Sequence, residues 1–181
     1  MNRRHVVVTL ALAATLMSSM PVAAAGGWQA VRAATARFHS MTQASAAGYS
    51  LAGEPCVAEA PGTMGIHAVN FALAGDLDVD PLKPEILLYL PKDDGDYELI
   101  GVEYWSIALA NSPNGPIPWF EANPPADGWF NPAPSVLGQT FDGPMPGHNP
   151  SMPWHYDLHA WLWADNPAGT FAPFNPSLAC R

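Results

Sequence analysis

The chain has 181 residues and carries 16 acidic against 7 basic side chains, a formal charge of −9. A surface this acidic repels nucleic acid and anionic lipid, which argues against a nucleic-acid partner, and tolerates cations; most of the acids read as serving solubility. Nearly half of the residues (49%) are hydrophobic, enough for the core of one domain.

Residues 1–25 read as a secretory signal peptide. Arg3 and Arg4 form its charged start, Val6 to Met17 its short apolar core, and Ala23-Ala24-Ala25 its small-residue cleavage signal. The arginine pair also permits twin-arginine export. The remaining segment, 26–181, is expected to be a single secreted or periplasmic domain of about 156 residues with a charge near −11. No further apolar stretch in it is long enough for a membrane helix. Cys56 and Cys180 are the only cysteines. In an oxidising compartment they are expected to form a disulfide, worth on the order of 4 kcal/mol for so long a loop.

Trp28 to Ala47 is alanine-rich, free of internal glycine and proline, and predicts a helix. Trp28, Val31, Ala34 or Thr35, Phe38 and Met41 form its apolar stripe, and Gly48 is placed to end it. His39 borders the stripe and reads as a surface or half-buried histidine. Cys56 follows in a loop over 54–63. Met64 to Asn70 predicts a short strand with His67 on the face opposite Ile66. The acidic run Asp76, Asp78, Asp80 lacks the glycine and distal glutamate of a calcium loop and reads as a solvated turn. Glu85 to Leu90 and Tyr97 to Trp105 predict an antiparallel hairpin across the turn Lys92-Asp93-Asp94-Gly95-Asp96. On its second strand, Ile100, Val102 and Tyr104 are expected on one face, with Gly101, Glu103 and Trp105 on the other.

Asn111 to Pro153 holds 11 of the chain's 20 prolines, a density that excludes regular helix and inner strands. Its tryptophans and phenylalanines argue against disorder. It is expected to be a long ordered loop that wraps the sheet, carrying His148 toward its end. Trp154 to Trp163 then alternates strictly. Trp154, Tyr156, Leu158, Ala160 and Leu162 share one side; His155, Asp157, His159, Trp161 and Trp163 share the other. That period predicts a β-strand with an apolar face and a row of imidazole, carboxylate and imidazole.

Polar groups of this kind between tryptophans must be paired, hydrated or bound to metal. Strand residues two apart on one face lie about 7 Å from each other and those four apart about 13 Å, so a straight strand does not let His155 and His159 share one ion. The other ligands must come from neighbouring strands, where His67 and Glu103 are the candidates. His67, Glu103, His155 and Asp157 are therefore the first choices. His159 follows as a further ligand, or as the group that orients a carboxylate; His148 and Trp161 are placed around the site. Mixed nitrogen and oxygen ligation suits zinc, manganese, iron or copper rather than calcium. A metal-free pocket for a small molecule or a carbohydrate, and a structural envelope protein with an internal His-Asp-His network, are the alternatives. No nucleophile elbow, catalytic triad or phosphate loop is present, and no enzymatic activity follows from the residues.

The motifs Met64-Gly65-Ile66-His67, Gly101-Val102-Glu103-Tyr104 and His155-Tyr156-Asp157-Leu158-His159-Ala160-Trp161, with Asn166-Pro167-Ala168-Gly169 after them, resemble those of a group of uncharacterised secreted bacterial and fungal proteins. The resemblance spans nearly all of 26–181. It implies a shared fold with a helix ahead of the sheet, and it brings no activity with it. The last motif is also similar to the histidine-bearing strands of cupin-like metal barrels, without their H-x-H pair. The fold class expected is α+β: an N-terminal helix packed on an antiparallel β-sheet of about four to six strands, a long proline-rich wrapping loop, and one disulfide.

Overall fold

The structure, a computed structural model, describes residues 22–51, 53, 55–148 and 150–180. The expected leader, 1–25, lies outside the described residues up to residue 21. Helix α1 (Val22–Thr35) begins at Val22 and so includes the Ala23-Ala24-Ala25 stretch. It does not run on to Ala47 as one rod. A single 3-10 turn (Ala36–His39) follows, and α2 (Met41–Ala46) starts afresh. Ser40 causes the break: its backbone is extended, and its hydroxyl accepts from the Gln43 N–H at 3.4 Å as the N-cap of α2. The stripe survives the break, with Trp28, Val31, Thr35 and Phe38 all buried. Gly48, at φ +96°, ends α2 as expected, and the Tyr49 N–H returns to the Ala44 carbonyl at 3.0 Å.

Five strands come next: β1 (Ser50–Leu51), β2 (Val57–Glu59), β3 (Gly62–Val69), β4 (Ile86–Pro91) and β5 (Tyr97–Ile107), with the short helix α3 (Phe71–Ala74) between β3 and β4. Two small ribbons follow: β6 (Leu109–Ala110), just ahead of the proline-rich segment, pairs with β7 (Ile117–Pro118) inside it, and β8 (Ser135–Val136) pairs with β9 (Gln139–Thr140). Strands β10 (Asp142–Met145) and β11 (His155–Ala160) close the order. The main sheet runs β1-β3-β4-β5-β11-β10, with β2 also paired to β3, and every pairing is antiparallel. The molecule is α+β, with the sheet as its larger part.

The β4–β5 hairpin forms as expected, but its faces are not those of plain alternation. Leu88 pairs with Gly101 and Tyr89 with Leu99, leaving Ile100 as an extra residue. Such a bulge shifts the face of everything beyond it. Leu99, not Ile100, therefore joins Val102 and Tyr104 beneath the helices, while Ile100 packs with Leu88 and Trp105 on the opposite side.

The helix-side core is where α1 docks. Trp28 meets Tyr104 edge-on at 6.0 Å, and the Tyr89 hydroxyl donates to the Phe38 carbonyl at 2.6 Å. The proline-rich segment packs Trp119, Trp129, Val136 and Phe141 against this core. It also supplies something that the proline count conceals, the edge strand β10, which pairs Asp142 with Asp157 and Met145 with His155. Pro144 is tolerated there because an edge strand leaves one row of N–H groups unpaired. The Cys56–Cys180 disulfide is formed, with 5.7 Å between its Cα atoms.

Gly65 lies at φ +99°, and a Cβ built on it would stand 2.7 Å from the Tyr89 carbonyl oxygen. Backbone, unlike a side-chain tip, cannot give way cheaply. Gly65→Ala is expected to cost at least about 2 kcal/mol, read as a lower urea midpoint at unchanged slope. A midpoint equal to that of the parent chain would mean that β3 slides at no cost.

Candidate metal centre

All six residues of β11 are buried, and its alternation is carried into space as the sequence predicts. Trp154, Tyr156, Leu158, Ala160 and Leu162 belong to the helix-side core. His155, Asp157 and His159 face the other way, where Ile86, Leu88, Ile100, Trp105 and Trp161 form a second apolar cluster.

Register decides which polar groups meet. His159 lies opposite Glu103, Asp157 opposite Trp105, and His155 opposite Ile107. Ile86 of β4 sits opposite Glu103, and His67 of β3 opposite Leu88. The Glu103 side chain reaches over β4, and its Oε2 comes within 3.1 Å of His67 Nε2 and 3.6 Å of His159 Nε2. One ligand atom from each of these three buried residues lies within 4.8 Å of the others. Two donors bound at 2.0–2.1 Å to one tetrahedral ion stand about 3.4 Å apart, so separations of 3.1 and 3.6 Å fit a shared ion as well as an internal His–carboxylate pair. His159 Nε2 is buried and has no hydrogen bond of good geometry among the described residues, while Glu103 Oε2 has His67 as its near partner. A buried polar atom left without a hydrogen bond calls for a partner such as water or an ion.

The protonation states suit a cation. Burial alone pushes the Glu103 carboxyl up, but the His159 and His67 imidazoles beside it outweigh that and hold it at about 2. Burial takes His159 down to about 4, against the opposing pull of Glu103. At neutral pH the carboxylate is ionised, and His159 has the uncharged form that binds metal.

Of the five expected ligands, the structure thus brings together His67, Glu103 and His159. His155 and Asp157 lie further along the same row, with His155 Nε2 3.9 Å from Asp157 Oδ2. His155 Nδ1 is 3.1 Å from the Pro153 carbonyl, which can only accept, so the proton sits on Nδ1 and Nε2 keeps its lone pair. Burial lowers the His155 pKa and raises that of Asp157 to about 8, with Glu103 and Asp142 adding to the latter. The His155 ring stacks on Trp105 at 5.6 Å and has His148 6.1 Å away. Trp161 plays a packing part: its indole N–H donates to the Ala172 carbonyl at 2.6 Å within the second cluster.

A cavity of about 350 Å³ adjoins the three ligands. His67, Glu103, His159 and His148 line it together with Met64, Val69, Phe71, Ile86, Trp105 and Met152. Part of its wall is α3, which sequence reasoning passed over. The signal was Asn70, whose Oδ1 caps the helix by accepting from the N–H groups of Ala72 and Leu73 at 3.2 and 3.4 Å.

Glu85 was passed over as well. It heads an apolar strand, is 1% exposed, and accepts from the Trp105 N–H at 3.0 Å. Burial raises its pKa from 4.5 to about 7. A carboxyl that binds its proton more tightly when folded contributes stability below its unfolded pKa and loses it as pH rises through the folded one. A shift of this size corresponds to at most about 3 kcal/mol. Glu85→Gln, uncharged and still an acceptor, is therefore expected to gain on the parent chain between pH 5 and pH 8 in denaturation midpoints. An equal difference at both pH values would show that Glu85 titrates as a solvated acid.

No protein-family model, curated protein or solved structure matches the chain. Among the described residues no helix is long and apolar enough to cross a membrane.

Proposed function

We propose that this chain is an exported protein that holds one divalent transition-metal ion between His67, Glu103 and His159. A single observation carries the reading: three buried donors from β3, β5 and β11 converge within 4.8 Å. Two imidazoles and one carboxylate favour zinc, manganese, iron or copper(II). Three protein ligands leave a coordination position open, which is how an ion is made available to an outside molecule. His155 and Asp157 then act beside the ion rather than on it. The Cys56–Cys180 disulfide supports an oxidising compartment, as does the charged and apolar N-terminal sequence. Membership of the secreted family that the motifs resemble is part of the same proposal.

Elemental analysis of the purified protein tests it. About one ion per chain is expected, lost in a His67→Ala/His159→Ala variant and kept in His155→Ala. Ion-free protein that cannot be reloaded with zinc, manganese or copper would sink the proposal. The three side chains would then be an internal network that fixes strand register, as in the structural alternative.

A further inference from the structure

The cavity walls say more about what meets the ion than the ligands do. Size comes first. Benzene is held by a cavity of about 150 Å³, and the space here is about 350 Å³, room for a molecule of roughly two rings. Polarity comes second. Met64, Val69, Ile86, Trp105 and Met152 present apolar surface, and the polar side chains among them are the ligand trio with His148 and Ser151, which lie close to Met152 in sequence. Among the described residues no lysine or arginine lines the space, so a phosphate or dicarboxylate would find no cation except the ion itself. A sugar fits no better, because its hydroxyls outnumber the partners that His148 and Ser151 add to the trio, and each one left unpaired against the apolar walls costs about 1–3 kcal/mol. Access comes third. Phe71 lines the cavity and is still 66% exposed, an apolar landing at its rim.

We infer that the cavity takes a one-ended amphiphile, an apolar body of about ten to fifteen non-hydrogen atoms bearing a single oxygen head. The body lies against Ile86, Trp105 and Met152, and the head completes the coordination of the ion. This rests on the proposed metal site for the head, and on the walls alone for the body. It also decides against the carbohydrate alternative.

Calorimetric titration of the zinc-loaded full chain with 1-naphthol, naphthalene and glucose tests the inference. 1-Naphthol is expected to bind once per chain and at least tenfold more tightly than naphthalene, and glucose not at all. Ala74→Trp, which pushes an indole into the space from α3, should keep the zinc and weaken 1-naphthol at least tenfold. Val69→Phe should do the same from β3, and serves if the first variant fails to fold. Zinc-loaded protein that ignores 1-naphthol overturns the inference. So does equal 1-naphthol binding by the parent and both variants, or a preference for glucose. A chain that takes up no ion, yet binds naphthalene and 1-naphthol alike and loses both in Ala74→Trp, fails the metal site and the head while confirming the apolar body.

Discussion

Glu103→Gln is expected to abolish ion uptake and, with it, a zinc-dependent rise in melting temperature of about 5–10 °C. The size follows from linkage: a ligand at a hundred times its Kd stabilises the folded state by about 2.7 kcal/mol. For a chain of this length each kcal/mol is about 2–4 °C. Glu103 is the residue to change because its carboxylate is the one donor that touches both of the others, at 3.1 Å from His67 and 3.6 Å from His159. An amide has the same shape, no charge, and a far weaker affinity for a divalent ion. The low carboxyl pKa means that the ionised form is favoured by the fold, so the ion-free variant is expected to melt below the ion-free parent, and loss of binding is read as the missing zinc shift within the variant itself. This separates loss of binding from loss of fold. A variant that still gains several degrees from zinc would place the ion elsewhere, and the trio would revert to a polar network.

How much of this could be read from the amino acids depended on the range of the signal. The alternation from Trp154 to Trp163 is local and strong, and it put the right side chains of β11 on each face. The hairpin of β4 and β5 was likewise legible from its turn residues, and the disulfide from there being only two cysteines. What escaped was set by contacts between distant segments. Nothing in the sequence says that His159 rather than Asp157 faces Glu103, because the register of β11 on β5 is fixed across more than fifty residues. The bulge at Ile100 breaks the period of two with no glycine or proline of its own to announce it, although Gly101 follows. The proline-rich segment concealed an edge strand because proline is excluded from inner strands only. The capped helix α3 is four residues long, too short to show a helical period, and yet it forms part of the cavity wall.

Replacing both cysteines, Cys56→Ser with Cys180→Ser, is expected to lower stability by about 4–5 kcal/mol and the melting temperature by about 10–20 °C. The bond closes a separation of 124 residues, so its effect on the unfolded chain is near the upper end for a single link. Its native role is local. The C-terminal tail lies along the start of β3, where the Thr63 and Asn175 backbones exchange hydrogen bonds at 3.0 and 2.9 Å and the Thr63 hydroxyl donates to the Leu178 carbonyl at 3.1 Å. Without the bond, the tail and β2 are the parts free to fray, and His67 stands only four residues beyond Thr63 on the same strand. Glu103 and His159 sit on the central, directly paired strands β5 and β11, which the sheet holds on both sides. At low temperature the folded variant should therefore keep its zinc stoichiometry but bind the ion more weakly than the parent, through a loosened His67. Thermal melts with and without zinc, and zinc titration at 4 °C, read both effects. A loss of less than about 1 kcal/mol would mean that the hydrogen bonds of the tail hold it without the bridge. Zinc affinity equal to that of the parent would mean that β4 alone is enough to position His67.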